Sequence, residues 1–159
     1  MITKKTTLLY LVRDDQILLA QKKRGFGEGY WNGIGGKIEP EETVEQALVR
    51  ECQEEIGVTP LTYRKVAAQD FVQLEQSADS WRMLVETYIC TEWEGDPAES
   101  EEMKPDWFAL TDIPYDSMWP SDKHWLPLVL EGNLLHTTFT LDSNNEVVDH
   151  TATVVTKLD

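Results

Sequence analysis

Hydrophobic and polar positions divide the chain into short blocks. Residues 6–12 and 17–21 are rich in large apolar and β-branched side chains and are separated by Arg13-Asp14-Asp15-Gln16, which predicts a hairpin. A basic run, Lys22-Lys23-Arg24, leads into the glycine-rich loop Gly25-Phe26-Gly27-Glu28-Gly29, after which residues 30–37 return to strand character. The apolar period then lengthens from two to about 3.6. Val44, Ala47, Leu48 and Cys52 share one helical face while Gln46, Val49 and Gln53 point away. Thr43, with Gln46 three residues on, has the form of a capping box, and Gly57 suits the left-handed residue that closes a helix. A helix is therefore expected over residues 43–56.

Beyond it, residues 65–75 and 81–90 alternate as two antiparallel strands around a loop at 76–80. Residues 92–102 form an acidic loop, 103–108 lead into another strand, and 111–120 hold turn signals. Residues 121–130 read as a second helix that begins at Ser121 or Asp122 and stops at Gly132. Residues 135–141 and 147–155 flank Ser143-Asn144-Asn145 as a closing hairpin. No internal repeat, low-complexity tract or interdomain linker is visible, so residues 1–159 are expected to form one domain.

Three acids break the pattern of the first helix. Glu51 and Glu55 project onto the same side as Val44 and Leu48, and Glu54 borders them. A Glu-rich run is ordinarily a solvated face. Here the acids lie at the negative end of the helix dipole, each unfavourable by ~0.3–1 kcal/mol, and they repel one another. Arg50 neutralises one carboxylate, which leaves an excess that suits a hard divalent cation, Mg²⁺ or Mn²⁺. Just upstream, Gly35 and Gly36 allow backbone to approach a phosphate or metal without a Cβ in the way.

Composition narrows the partners. A chain of 159 residues with 41% hydrophobic and 27% charged side chains is an ordinary globule, and a net charge of −15 argues against broad binding to nucleic acid or anionic membranes. An anionic substrate then needs a metal and local Lys or Arg. Cys52 and Cys90 have no metal-type spacing and read as buried free thiols in a reducing cytosol. The apolar run near the start is too short for a signal peptide, so a cytoplasmic protein is expected.

Gly36, five residues, Glu42, seven residues and then Arg50-Glu51-Cys52-Gln53-Glu54-Glu55-Ile56-Gly57-Val58 resembles the signature of the Nudix hydrolases at every defining position. The resemblance implies an α/β fold, an αβα sandwich with a mixed sheet between helices, and a Mg²⁺-dependent pyrophosphatase, with Mn²⁺ a possible substitute. Outside the signature, Lys22-Lys23-Arg24-Gly25-Phe26-Gly27, Trp31-Asn32-Gly33, Glu99-Ser100-Glu101-Glu102-Met103 and Met118-Trp119-Pro120 are similar to the animal MutT-homologue branch, which hydrolyses oxidised purine nucleoside triphosphates. On that resemblance Gly35 offers a carbonyl to the metal. Glu51, Glu54, Glu55 and Glu102 bind it or position water, and Arg50 orients the carboxylates. Lys22, Gly36 and Lys37 lie near the phosphates. Thr7, Phe26, Asn32, Phe71, Met83, Trp119, Ser121 and Asp122 surround the base. The expected partner is a small nucleotide, and the expected state a monomer.

The residue types suit these roles. A base pocket needs an aromatic face, which Trp119 or Phe26 supplies, and a polar edge reader, which Asn32 and Asp122 supply. Core packing is the competing reading for each aromatic and is preferred for Trp107 and Phe108. A plain helix cap is the competing role for Asp122. Ser121 stands where the similar branch has the first of two adjacent aspartates. Without a neighbouring carboxylate, Asp122 is expected to be ionised near neutral pH and to favour a guanine edge. The expected reaction is attack of water on phosphorus, with Glu51, Glu54 or Glu102 as general base. A Nudix enzyme for another nucleoside-diphosphate-linked substrate, or a nucleotide-binding module without activity, are the alternatives.

Overall fold

The computed structural model describes residues 2–74 and 80–158. β1 (Ile2–Arg13) and β2 (Gln16–Lys22) form the first hairpin, turning through Asp14 in a left-handed conformation at φ 49°. β3 (Trp31–Asn32) is all that becomes strand in the stretch expected over residues 30–37. α1 (Val44–Ile56) carries both halves of the capping box at Thr43 and Gln46, and Gly57 closes it at φ 72°. β4 (Thr59–Gln73) and β5 (Trp81–Glu94) pair antiparallel, and Gln76 to Asp79 of their expected loop lie outside the described residues. β6 (Met103–Ala109), a short 3₁₀ turn (Tyr115–Ser117), α2 (Asp122–Leu130), β7 (Leu134–Leu141) and β8 (Val147–Val155) complete the order.

The strands run β3-β2-β1-β5-β4-β7-β8, with β6 paired to β2. Two pairings are parallel, β1 with β5 and β4 with β7. Pairing with β5, parallel for β1 and antiparallel for β4, explains where these two strands outgrow expectation. β1 begins at Ile2 instead of residue 6, because its first residues pair with Trp81 to Leu84. β4 begins at Thr59 instead of residue 65, in spite of Pro60. Its pairing with β7 starts only at Ala67, so Pro60 sits where that side of β4 is an edge, beside a register shift. Proline is tolerated there because no ladder donor is required of it.

Strand alternation sorts the core onto two faces. Leu9, Leu11, Leu18 and Ala20 pack with Leu48, Cys52 and Ile56 of α1, whereas Tyr10, Ile17 and Leu19 pack with Trp125, Leu126 and Val129 of α2. Adjacent residues of one strand thus bury against different helices. The result is the αβα sandwich with a mixed sheet. Among the described residues no helix is long and apolar enough to cross a membrane.

β1 and β2 stay paired only at their turn, Val12 with Ile17 and Arg13 with Gln16. Where they part, β1 bonds instead to the loop before α1. Leu9 N–H donates to Ile34 O at 2.6 Å, Thr7 N–H to Gly36 O at 2.9 Å and Ile38 N–H to Lys5 O at 2.9 Å. The signature loop is therefore wedged into the split.

Candidate active site

Close backbone approach sets up the wedge. A Cβ on Gly35 would lie 1.8 Å from the Thr7 carbonyl oxygen, and one on Gly36 would lie 2.6 Å from the Glu51 carboxyl carbon. Neither position admits a side chain without moving backbone or Glu51. The glycines bring the loop onto β1 on one side and onto the acids of α1 on the other.

Arg50 does more than the sequence reading assigned to it. Its Nε and Nη2 donate to the two oxygens of Glu42 at 2.6 and 2.8 Å, and its Nη1 donates to Glu51 at 2.8 Å and to Glu54 at 3.3 Å. Nη2 also donates to the carbonyl of Lys37 at 3.1 Å, tying the loop to the helix. One guanidinium thus serves three carboxylates instead of one. The Arg50 hydrogen bonds, with a backbone bond at Glu39, hold the Glu42 carboxyl down at about 2.

Glu55 is handled differently. It is buried, its Oε2 has no hydrogen-bond partner among the described residues, and burial first, then a shared hydrogen bond with Glu51, push its pKa up to about 9. Lys22 and a backbone bond at Gly35 oppose the shift. Glu102 stands apart: Arg24 Nε and Nη2 donate to its Oε1 at 3.0 and 2.6 Å and lower its pKa. Lys23 in turn holds Glu99 at 2.5 Å. Among the described residues no three acidic, histidine or cysteine side chains are gathered closely enough to hold a metal as they stand. The donor chemistry nonetheless fits a hard cation, because a buried carboxylate beside a second one, with an oxygen that has no partner among the described residues, is short of positive charge.

The second half of the site is a cavity of about 250 Å³ between the sheet, the glycine-rich loop and the start of α2. Thr7, Lys22, Phe26, Asn32, Gly35, Gly36, Phe71, Met83, Trp119, Ser121 and Asp122 all line it. Lys37 does not; it bridges to Thr6 of β1. Trp119 packs beside Phe26, ring centroids 5.1 Å apart, and beside Tyr30 at 4.7 Å. Phe26 is 59% exposed. Asn32 Oδ1 accepts from Tyr10 OH at 3.2 Å and from Gly33 N–H at 2.8 Å, which leaves its Nδ2 facing no partner among the described residues. Trp107 and Phe108 pack on Trp93 and Trp31, in keeping with a core role.

Asp122 departs from expectation. It is buried, its Oδ1 accepts from Trp125 Nε1 at 3.2 Å, and its Oδ2 has no partner among the described residues. Burial pushes its pKa up to about 7, against a smaller opposing effect of the Trp125 bond. It is neither a plain helix cap nor fully ionised at neutral pH. Desolvation alone does what a neighbouring carboxylate was expected to do. Ser121, at the cap position, makes no side-chain capping bond.

Tyr30, Gln69, Trp81 and Asn145 also line the cavity and were not foreseen. Gln69 shares a face of β4 with Phe71 at a spacing of two, which was a usable signal. Asn145 had none, since only the parallel pairing of β4 with β7 brings its turn near. Cys52 and Cys90 are free and buried, and burial pushes the Cys52 thiol up to about 12, so it is chemically quiet at neutral pH.

Residues 3–129 match the family model for the NUDIX domain. The chain is 39% identical over 148 residues to the oxidized purine nucleoside triphosphate hydrolase of Danio rerio, covering 93% of each chain. It is 41% identical over 125 residues to the Mus musculus protein of the same name, covering 79% of this chain and 78% of that one. The crystal structure of the mutator MutT protein from Bacillus halodurans superposes with a TM-score of 0.82 at 28% identity, covering 94% of this chain and 97% of that one. From the match over most of its length and the glycine-wedged acidic helix, the chain belongs to the Nudix hydrolase family.

Proposed function

We propose that this chain is a Mg²⁺-dependent nucleoside triphosphate pyrophosphohydrolase, with Mn²⁺ as a substitute. Its substrates in this reading are oxidised purine nucleotides such as 8-oxo-dGTP, cleaved to the monophosphate and pyrophosphate. The observation that carries it is a cavity combining an aromatic wall, Trp119 with Phe26 and Tyr30, with the polar groups of Asn32 and buried Asp122, and bordered by Gly36, which packs against Glu51 of α1. Relatives named as oxidized purine nucleoside triphosphate hydrolases support the same substrate class. Nudix hydrolases in general need a divalent metal ion.

The Gly35 carbonyl and the carboxylates of Glu51, Glu54, Glu55 and Glu102 are the donors that would hold the metal. A divalent ion bound there supplies polarisation of the phosphoryl oxygens and acidifies a water. Lys22 and Lys37 balance phosphate charge, and the Gly36 backbone borders the phosphate chain. Arg50 holds Glu51 and Glu54 at fixed positions, while its grip on Glu42 anchors the loop. One of Glu51, Glu54 and Glu102 accepts the proton of the attacking water. Trp119 and Phe26 give the base a stacking face, and Asn32 and Asp122 bond its polar edge. The enzyme acts as a cytoplasmic monomer of one domain.

The test is a substrate panel with Mg²⁺ present and with it chelated. 8-oxo-dGTP is expected to be turned over with higher kcat/KM than dGTP, ADP-ribose or a dinucleotide, and chelation to abolish turnover. Faster hydrolysis of a dinucleotide or nucleotide sugar overturns the substrate assignment, and turnover that survives chelation overturns the metal.

A further inference from the structure

Three buried polar side chains under the cavity have no part in the roles above. Gln69 of β4 lines the cavity and is 3% exposed. Its Nε2 donates to Thr87 Oγ1 on β5 at 3.0 Å, and its Oε1 accepts from Thr137 Oγ1 on β7 at 3.0 Å. Thr87 and Thr137 are buried as well. Apolar residues could fill the same space, and the mutual hydrogen bonds of such a trio only offset the cost of desolvating it. A role in recognition accounts for the trio better than packing does.

A carboxamide has two N–H donors and two acceptor lone pairs. The threonines use one of each, in either orientation of the amide. One N–H and one lone pair of Gln69 therefore remain without a partner among the described residues, on a group that lines the cavity. The amide is also held firmly. Its neighbours on the same face of β4 are backed by the closing hairpin at each step: Phe71 stacks on Phe139 with centroids 5.0 Å apart, and Gln73 Nε2 donates to Asn145 Oδ1 at 2.6 Å. That hairpin lies beyond residue 129, outside the stretch that matches the family.

We propose that Gln69 is a specificity-determining residue of the cavity, donating its spare N–H to the carbonyl oxygen that oxidation adds to a purine base. Thr87 and Thr137 keep that donor aimed. The assignment rests on the oxidised-purine reading. A base without the added oxygen leaves a buried N–H unpaired, so the amide discriminates through the penalty on the wrong nucleotide as well as the bond to the right one.

The experiment measures kcat/KM for 8-oxo-dGTP and dGTP in the wild type, Gln69→Leu, Gln69→Met and Thr137→Val. Thermal unfolding and the Kd of 8-oxo-dGMP and dGMP by calorimetry accompany it. Both Gln69 variants are expected to lower the 8-oxo-dGTP to dGTP ratio about tenfold, because only the oxidised nucleotide loses a bond. Thr137→Val, which loosens the amide, lowers the ratio less. The ratio of the two Kd values follows the same order, so a variant with impaired turnover still reports. A merely structural Gln69 lowers both nucleotides together and leaves the ratio unchanged, which overturns the proposal. A wild type with no preference for the oxidised nucleotide overturns the proposed function and this assignment with it. A wild-type preference that survives in both Gln69 variants overturns the Gln69 assignment alone.

Discussion

On α1 and the loop before it three carboxylates, those of Glu42, Glu51 and Glu54, bond to one guanidinium, whereas at the start of α2 the buried Asp122 carboxyl accepts from an indole N–H and from no cation among the described residues. The ion-paired Glu42 is held at about 2 and the buried Asp122 is pushed to about 7. Glu55 lies on α1 next to the first group yet behaves like the second, at about 9, because burial outweighs its cationic neighbour Lys22. Proximity in sequence therefore does not decide how an acid is neutralised. Glu42, hydrogen-bonded to a guanidinium, is held down, and Glu55 and Asp122, buried without a hydrogen-bonded cation among the described residues, are pushed up.

The contrast breaks first at Glu55. Glu55→Gln is expected to lower kcat by on the order of a hundredfold or more, since a carboxylate that helps hold a metal underlies several kcal/mol of transition-state stabilisation. Fold and Tm at neutral pH should change little, because glutamine resembles the protonated acid already present in the metal-free protein. Steady-state kinetics with a melting curve checks both, and near wild-type turnover would remove Glu55 from the site.

Asp122→Asn tests the buried end through stability. The unfolded carboxyl has its ordinary value of 3.8 and the folded one about 7, so between those values the folded protein retains a proton that the unfolded chain has lost. Wild-type stability therefore falls by on the order of 4 kcal/mol as pH rises from about 4 to 7 and is level above. The asparagine variant lacks this loss. Its Tm advantage is expected to open across that window and stay constant beyond it; a gap independent of pH would mean that Asp122 is ionised throughout.

A smaller effect is expected at the cavity wall. Trp119→Ala should raise KM by ~1–3 kcal/mol equivalent, about tenfold or more, with kcat nearly unchanged, since stacking serves ground state and transition state alike. An unchanged KM makes Trp119 a packing residue of Phe26 and Tyr30.

The smallest effect is in base preference. Protonated Asp122 donates and ionised Asp122 accepts, so the ratio of kcat/KM for 8-oxo-dGTP over 2-hydroxy-dATP should rise with pH, by up to about tenfold between pH 6 and 8. Ser121→Asp adds a like charge and should move the midpoint upward. A ratio that is flat with pH in both proteins denies Asp122 the reading of the base.

Sequence alone was sufficient wherever the determining contacts are local. The capping box of Thr43 and Gln46, the left-handed Gly57, the apolar stripe of α1 and the acids beside Arg50 all act within a few residues of one another, and each is found where its pattern put it. The first hairpin is legible for the same reason. Tertiary structure alone decided what depends on distant partners. Pairing with β5, parallel for β1 and antiparallel for β4, extended two strands past their apparent starts and took Pro60 into one of them, and the parallel pairing of β4 with β7 carried the Thr137 hydroxyl to Gln69. Whether Asp122 and Glu55 hold a proton was likewise decided by the packing around them, because desolvation is a property of everything that surrounds a group, and a sequence lists only its neighbours along the chain.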